Sequence, residues 1–474
     1  MIGTVFLKEV REIVRDGRLR LLGGLVLILA VVAMLFGAQQ TQRAQEAREH
    51  ARERAAKQWV SQGDKNPHVA GHYGTHVFAP TNVATSVDPG VSRYLGRSVK
   101  MEAHKRNLAA HAEAGDGAGL ELLGAFSVAS ILLELVPLLI IALGHGLWSR
   151  ERERGTLRQV MSLGVERSVL FWGKALALSA MIVVLLAPAA ALVVAVLWTM
   201  GGGDAATLVR LLMMGLAYLV YFVTFGALTL FASAKLPSSR SALVTMVGVW
   251  GLFALVVPRL ATEVSVSLES LPSRAELARE IGVALEEGID GKMERDTAVE
   301  AIIEDLMAEQ DLANTGMLVM GSDVQGMELR AEAKWEDLIY DHFVIQLEDQ
   351  IASQERLVSY GAILSPLIAM RTLSASFAGT DYAHHRHFTD AAEVWRKSLI
   401  EHLNKEFSDN AGDASWEYKV GSDFWKTIPP FEYEAPTPLF ALRSQWPSLV
   451  LLGGWLIVAL ALALGAARKV RVVQ

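Results

Sequence analysis

Two groups of histidines are the first residues in this sequence with chemical potential. His68, His72 and His76 fall in one stretch, and Asp381 is followed by His384, His385 and His387. Imidazoles with a carboxylate form a donor set for transition metals. Gly74 separates His72 from His76, which argues against one helical face carrying both. Packing and hydrogen bonding is the reading taken for both groups, and no metal ligand is assigned. No nucleophilic triad or carboxylate pair is assigned either, because residues 259–444 hold 34 acidic residues, enough to generate such pairs without chemistry. Cysteine is absent, which removes disulfides, thiolate metal sites and thiol nucleophiles. No Gly-x-x-x-x-Gly-Lys-Ser/Thr loop occurs, so the chain has no phosphate cradle of its own. No catalytic residue is named, and the chain is read as a non-enzyme.

A different signal is a carboxylate inside an apolar run, Ile131-Leu132-Leu133-Glu134-Leu135, with Pro137 one turn on. At membrane depth such a group costs about 2.5–3.5 kcal/mol on insertion scales and faces protein or water rather than lipid. Glu134 is therefore a candidate for a transport path or gate, with a structural hydrogen bond as the plainer alternative. Tyr218, Tyr221, Phe222 and Phe225 make an aromatic stripe, suited to helix packing or to lining an apolar path.

These residues must be positioned by membrane-spanning helices. Of 474 residues, 52% are apolar although 20% are charged, a mixture that implies segregation. Six stretches are long enough to span a bilayer as helix: residues 19–37, 125–148, 175–200, 207–234, 241–258 and 445–467. The first is read as a retained anchor, since no small-residue cleavage site follows it. Lys and Arg cluster in residues 1–18, in the loop 149–174, at Lys235 and Arg240, and at Arg468, Lys469 and Arg471. With six spans these segments all fall on one side, which predicts cytoplasmic termini and an inner-membrane location. The net charge of −7 then lies mainly on the other side. No basic block with interleaved aromatics suggests nucleic acid.

The expected fold is thus an all-α integral membrane protein with a mostly helical extracytoplasmic domain built from two insertions, 38–124 and 259–444. Residues 39–60 continue the first helix outward, and turn residues then predict irregular or short-stranded structure. In the second insertion helical spacing runs over 268–313, with a break near Gly288 and Gly291, and over 328–360 and 389–407. Gly201-Gly202-Gly203 reads as a flexible turn.

The loop after the second span carries Glu151, Arg152, Glu153, Arg154, Gly155, Thr156 and Leu157. Thr156 with Gln159 spells a capping box, so a helix is predicted from Leu157, with Gly155 at the turn before it and Gly164 ending it. Leu157, Val160 and Met161 would share one face of this two-turn helix. Too short to stand alone, it needs a surface to lie against.

This run, followed by Ser162 and by Arg167 to Lys174 entering the next span, resembles the cytoplasmic loop of ABC-2 type exporter permeases. Lys8-Glu9-Val10-Arg11-Glu12-Ile13-Val14-Arg15-Asp16 resembles the amphipathic elbow helix of the same family. The outer segments are similar to a subgroup that includes gliding-motility permeases, through Asn66-Pro67-His68, His72-Tyr73-Gly74, Asp88-Pro89-Gly90, Ser365-Pro366 and Gly379-Thr380-Asp381. The resemblance implies a permease working with separate ABC ATPase subunits, which would bind ATP and Mg, and with a second permease copy, identical or paralogous, in membrane lipid. It implies a coupling segment of Glu151, Glu153, Gly155, Thr156, Leu157, Val160 and Met161. It also implies that His72, Asp88, Asp381, His384 and His385 hold the two insertions together. A peptide, lipid or other amphiphile is the expected cargo; the alternative is an envelope interaction or mechanotransmission protein with a periplasmic partner.

Overall fold

The computed structural model describes residues 1–112, 126–201, 204–309 and 322–470. The start of the second span at residue 125, Gly202-Gly203, residues 310–313 of an expected helix and Arg471 lie outside the described residues. Six described helices are long and apolar enough to cross a membrane: Leu19–Val60, Val128–Glu153, Arg167–Thr199, Ala205–Lys235, Ser239–Leu268 and Trp446–Arg468. Ahead of them lies the amphipathic helix Ile2–Arg15. The spans exceed the predicted apolar stretches because the helices continue into polar sequence, the first as far as Val60.

The basic segments meet at one end of the bundle. Lys8 of the N-terminal helix pairs with Glu151, Glu153 reaches Ser239, and Arg167 donates to the carbonyl of Arg468. The two insertions meet at the other end and share a core. A three-stranded antiparallel sheet, β1 (Thr75–Phe78), β2 (Ser98–Glu102) and β3 (Lys105–Arg106), pairs Thr75 with Met101 and Phe78 with Ser98. Alternation turns Val77, Val99 and Met101 inward, where they join Phe388, Leu399 and Leu403 of the helix Tyr382–Asn410.

The sequence reading did not anticipate the helix Pro366–Ala378. Ser365 caps it, Pro366 opens it, and Gly379, at φ 71°, ends it. Leu367, Ile368, Met370, Leu373, Ser374 and Phe377 are all buried, and only Arg371 is exposed. It packs against the fourth and sixth spans, so the polar domain is rooted in the bundle. At 13 residues it is too short to register as a span.

Pro137 shapes the second span. Lacking an amide proton, it cannot donate to the carbonyl four residues back, that of Leu133. The helix widens to a π-turn over Ile131–Leu135, and the Tyr221 hydroxyl donates to the Leu133 oxygen at 2.8 Å. The neighbouring Glu134 carbonyl accepts from the Trp250 indole at 3.0 Å. Tyr221 is fully buried, so Tyr221→Phe leaves an interior acceptor unpaired. The expected loss is about 1–3 kcal/mol, read as a lower thermal midpoint in detergent. An unchanged midpoint would remove this role from the hydroxyl.

Candidate functional site

The N-terminal helix places Val5, Glu9 and Ile13 at intervals of four, on the face it turns toward the third span. Gly173 permits the approach, since a Cβ there would stand 2.5 Å from the Val5 side chain. Glu9 is thereby buried against the next residue of the third span, Lys174. The Lys174 ammonium, 0% exposed, lies 2.6 Å from Glu9 Oε1 and 3.0 Å from Glu151 Oε2. It also sits 5.4 Å from the ring centroid of Trp148. Lys8 closes the cluster, 3.0 Å from Glu9 and paired with Glu151. The two ammonium groups are matched by Glu9 and Glu151, with the exposed Glu12 also 3.4 Å from Lys8, which makes the burial tolerable. Burial disfavours the Lys8 ammonium, but Glu9 and Glu151 outweigh it and raise its pKa.

Glu151 belongs to a run that looks like a solvated charge patch and is a connector instead. Arg150 lies 3.3 Å from Asp16 at the end of the N-terminal helix. Arg152 donates to the carbonyls of Ala234 and Leu236, where the fourth span ends. Glu153 accepts from the Ser239 amide at 2.7 Å, at the start of the fifth span. The amides of Trp148 and Ser149 donate to Ser233 Oγ, fastening the segment again to the fourth span.

Gly155, at φ 73°, then turns the chain into the helix Thr156–Ser162, and Gly164, at φ 76°, follows. One expectation is corrected here. The capping box does not form, because Gly155 occupies the cap and the Thr156 hydroxyl donates back to the Glu151 carbonyl at 3.2 Å. Leu157, Val160 and Met161 do share a face, and the surface it lies against is the protein's own bundle: Leu157 is 0% exposed, and Val160 and Met161 pack against the same core. The outward side carries Arg158, Gln159 and Leu163, the last 79% exposed.

The aromatic stripe divides. Tyr221 and Phe225 are wholly interior, while Tyr218 and Phe222 line an apolar cavity of about 510 Å³ with Leu178, Ile182 and Met214. Glu134 is partly exposed and lies 3.6 Å from Arg371 of the rooted helix, at the polar-domain end.

At that end the fourth span holds both insertions. The Tyr218 hydroxyl bonds Ser374 Oγ at 3.0 Å, and Ser374 donates to Asp88 Oδ2. Next to Leu211 at the cavity's rim, the buried Arg210 donates to the Pro436 carbonyl and lies 3.4 Å from His384 Nε2. Asp381 caps the helix Tyr382–Asn410 through the His384 amide and bonds its ring. Burial raises the Asp88 pKa, opposed by Ser374 and the Gly90 amide. Burial would raise Asp381 too, but its bonds to His384 win and lower it. Burial pushes His385 down to about 4. His72 stands apart from this junction, beside His68 on the helix Pro67–Tyr73, while His76 lies on β1. Sequence reasoning missed Arg210 and the role of Lys174, which had been counted with the loop. The available signal was Glu9, an acid on the apolar stripe of an amphipathic helix.

Six spans, an amphipathic helix ahead of the first and a short exposed helix on a charged connector describe a polytopic membrane subunit of the transporter class. The family model described as ABC-2 family transporter protein matches residues 3–471, and the chain belongs to that family. No match is found among curated proteins. The chain is therefore a multi-pass permease subunit of an ABC transporter, a family that uses ATP through a partner ATPase.

Removing Lys174 leaves two carboxylates sharing Lys8. Lys174→Met is expected to cost about 3–5 kcal/mol, as for a broken buried pair, and to lower the thermal midpoint of the purified chain. The double variant with Glu9→Gln should recover part of that loss; additive effects would reject the coupling. Burial, helped by Asp381, pushes the Glu355 carboxyl from 4.5 up to about 7. The folded state then binds more protons than the unfolded one, so this contribution is present below pH 4.5 and lost as pH rises toward 7. Glu355→Gln should raise the midpoint at neutral to basic pH and flatten its decline; an unchanged profile would sink this assignment.

Proposed function

We propose that this chain is the permease of an ATP-driven exporter that moves or extracts a peptide, lipid or other amphiphile, coupled to its ATPase through the helix Thr156–Ser162. The observation that carries the reading is the connector beneath that helix. Four successive side chains, Arg150 to Glu153, reach the N-terminal helix and the third, fourth and fifth spans. A push on the short helix is felt by all of them together. Its buried Leu157 anchors it, and Arg158, Gln159 and Leu163 are the surface left for the ATPase. Lys and Arg density supports placing this end in the cytoplasm, with both termini inside and the polar domain across an inner membrane.

The apolar cavity at Tyr218 and Phe222 suits an amphiphile's tail rather than an ion. Exposed apolar faces such as Val183, Val184, Ile457 and Val458 suit lipid or a second permease copy. A second reading, transmission of force to a periplasmic partner, draws on one observation: the helix Pro366–Ala378 roots the polar domain between two spans.

Mild-detergent extraction should recover the chain with a stoichiometric ABC ATPase. The double variant Arg158→Glu with Leu163→Asp should cut that recovery about tenfold or more, equivalent to about 1.4 kcal/mol, with its thermal midpoint unchanged. Full recovery of the ATPase with this variant would reject the docking face. Absence of any ATPase from the wild-type preparation would reject the proposed coupling through this helix.

A further inference from the structure

The polar domain contains a second cluster that the transport reading does not use. His68 and His72 lie four residues apart on the helix Pro67–Tyr73, and His104 faces them from the turn between β2 and β3. One ring nitrogen from each lies within 4.8 Å of the others. The ring centroids are 4.7 Å apart for His68–His72 and for His72–His104, and 5.3 Å for His68–His104.

Two of the three rings are oriented from outside the cluster. The His68 Nδ1 lies 2.9 Å from Oδ1 of the buried Asn404, and donates to it. The His104 Nδ1 lies 2.7 Å from Glu336 and donates to that carboxylate. A neutral imidazole that donates through Nδ1 keeps a bare lone pair on Nε2. The same arrangement, in which a carbonyl or carboxylate fixes the tautomer of the ring, surrounds histidines that bind metals. The Nε2 of His72 lies 3.1 Å from that of His68 and donates to its lone pair, so a metal ion would replace this one proton. Two nitrogens bound at about 2.0–2.1 Å to one tetrahedral zinc stand about 3.3–3.4 Å apart, so little movement separates the two arrangements.

We propose that His68, His72 and His104 bind a divalent transition-metal ion of the zinc class, with Asn404 and Glu336 orienting the ligands. Three protein nitrogens leave a coordination position for water or an exchangeable ligand. His72 is exposed, which gives the ion a way in. Glu336 supplies negative charge beside the dication. The site also has a place in the architecture: its three ligands come from the first insertion and both orienting residues from the second. Metal binding would therefore brace one insertion against the other, far from the connector at Lys174. This amends the packing reading of these histidines. His104, the third ligand, lies outside the histidine groups visible in the sequence.

The full chain, purified in detergent with any polyhistidine tag removed, is dialysed against zinc sulfate and then against metal-free buffer. About one retained zinc per chain by elemental analysis is expected, with a higher thermal midpoint than after chelation. Cobalt(II) in place of zinc should give the intense visible absorption of a low-symmetry four-coordinate site. His72→Ala, at an exposed position, should fold as wild type and lose both retained zinc and the zinc-dependent midpoint shift. His76→Ala should keep both. Glu336→Gln should weaken binding about 10–100-fold, as expected for loss of an orienting partner. No retained zinc in the folded wild-type chain, or equal retention by the wild type and His72→Ala, would overturn the proposal.

Discussion

A fully buried ammonium has to be neutralised where it lies, and much of the basic end of this molecule follows from that demand. Lys174 cannot be satisfied by its own helix. One carboxylate comes from the N-terminal helix and another from the last turn of the second span, so three parts of the chain are held in register by one charge. The cost of desolvating a lone Lys174 would be several kcal/mol, comparable to a large share of a domain's stability. The same cluster fixes the position of Glu151. Its neighbours Arg150, Arg152 and Glu153 are then close enough to grip the ends of other helices.

Much of the fold was legible because bilayers impose simple rules. Apolar length identified six spans, and basic residues grouped the loops. The outward continuation of the first helix to Val60 followed from its unbroken helix-forming composition. What could not be read was any contact between distant segments. Lys174 looked like one more basic residue preceding a span, because its partners lie 165 and 23 positions away. Leu157 was recognised as apolar and helical, but periodicity does not say whether an apolar face meets another protein or its own bundle. The helix Pro366–Ala378 falls between categories, buried over most of its length yet too short for a span and interrupted by Arg371, Ser374 and Ser376. In the histidine groups, His104 was hidden by its position in a hairpin turn, 32 residues beyond His72.

The fourth span links the two ends. Arg210 near its start and Tyr218 near its middle hold the two insertions, and Ser233 and Ala234 at its far end receive the connector. Its 31 residues make a rod about 45 Å long. Displacement applied at one end therefore reaches the other through a single covalent helix, without passing across a soft interface. The apolar cavity lies against this rod between Arg210 and Ser233, so the space around Tyr218 and Phe222 is bounded by the element that would move.

The π-turn at Pro137 has a mechanical meaning. Bending an intact helix strains or breaks a rung of its ladder, but here the rung to the Leu133 oxygen is already gone. A phenol on another helix takes its place, and a hydroxyl rotating on its ring tolerates a change of angle that a backbone amide in a ladder does not. The second span is thus jointed at this point and tied to the fourth by a swivel rather than a weld. A change of angle at this joint can leave the Leu133 carbonyl with its Tyr221 donor.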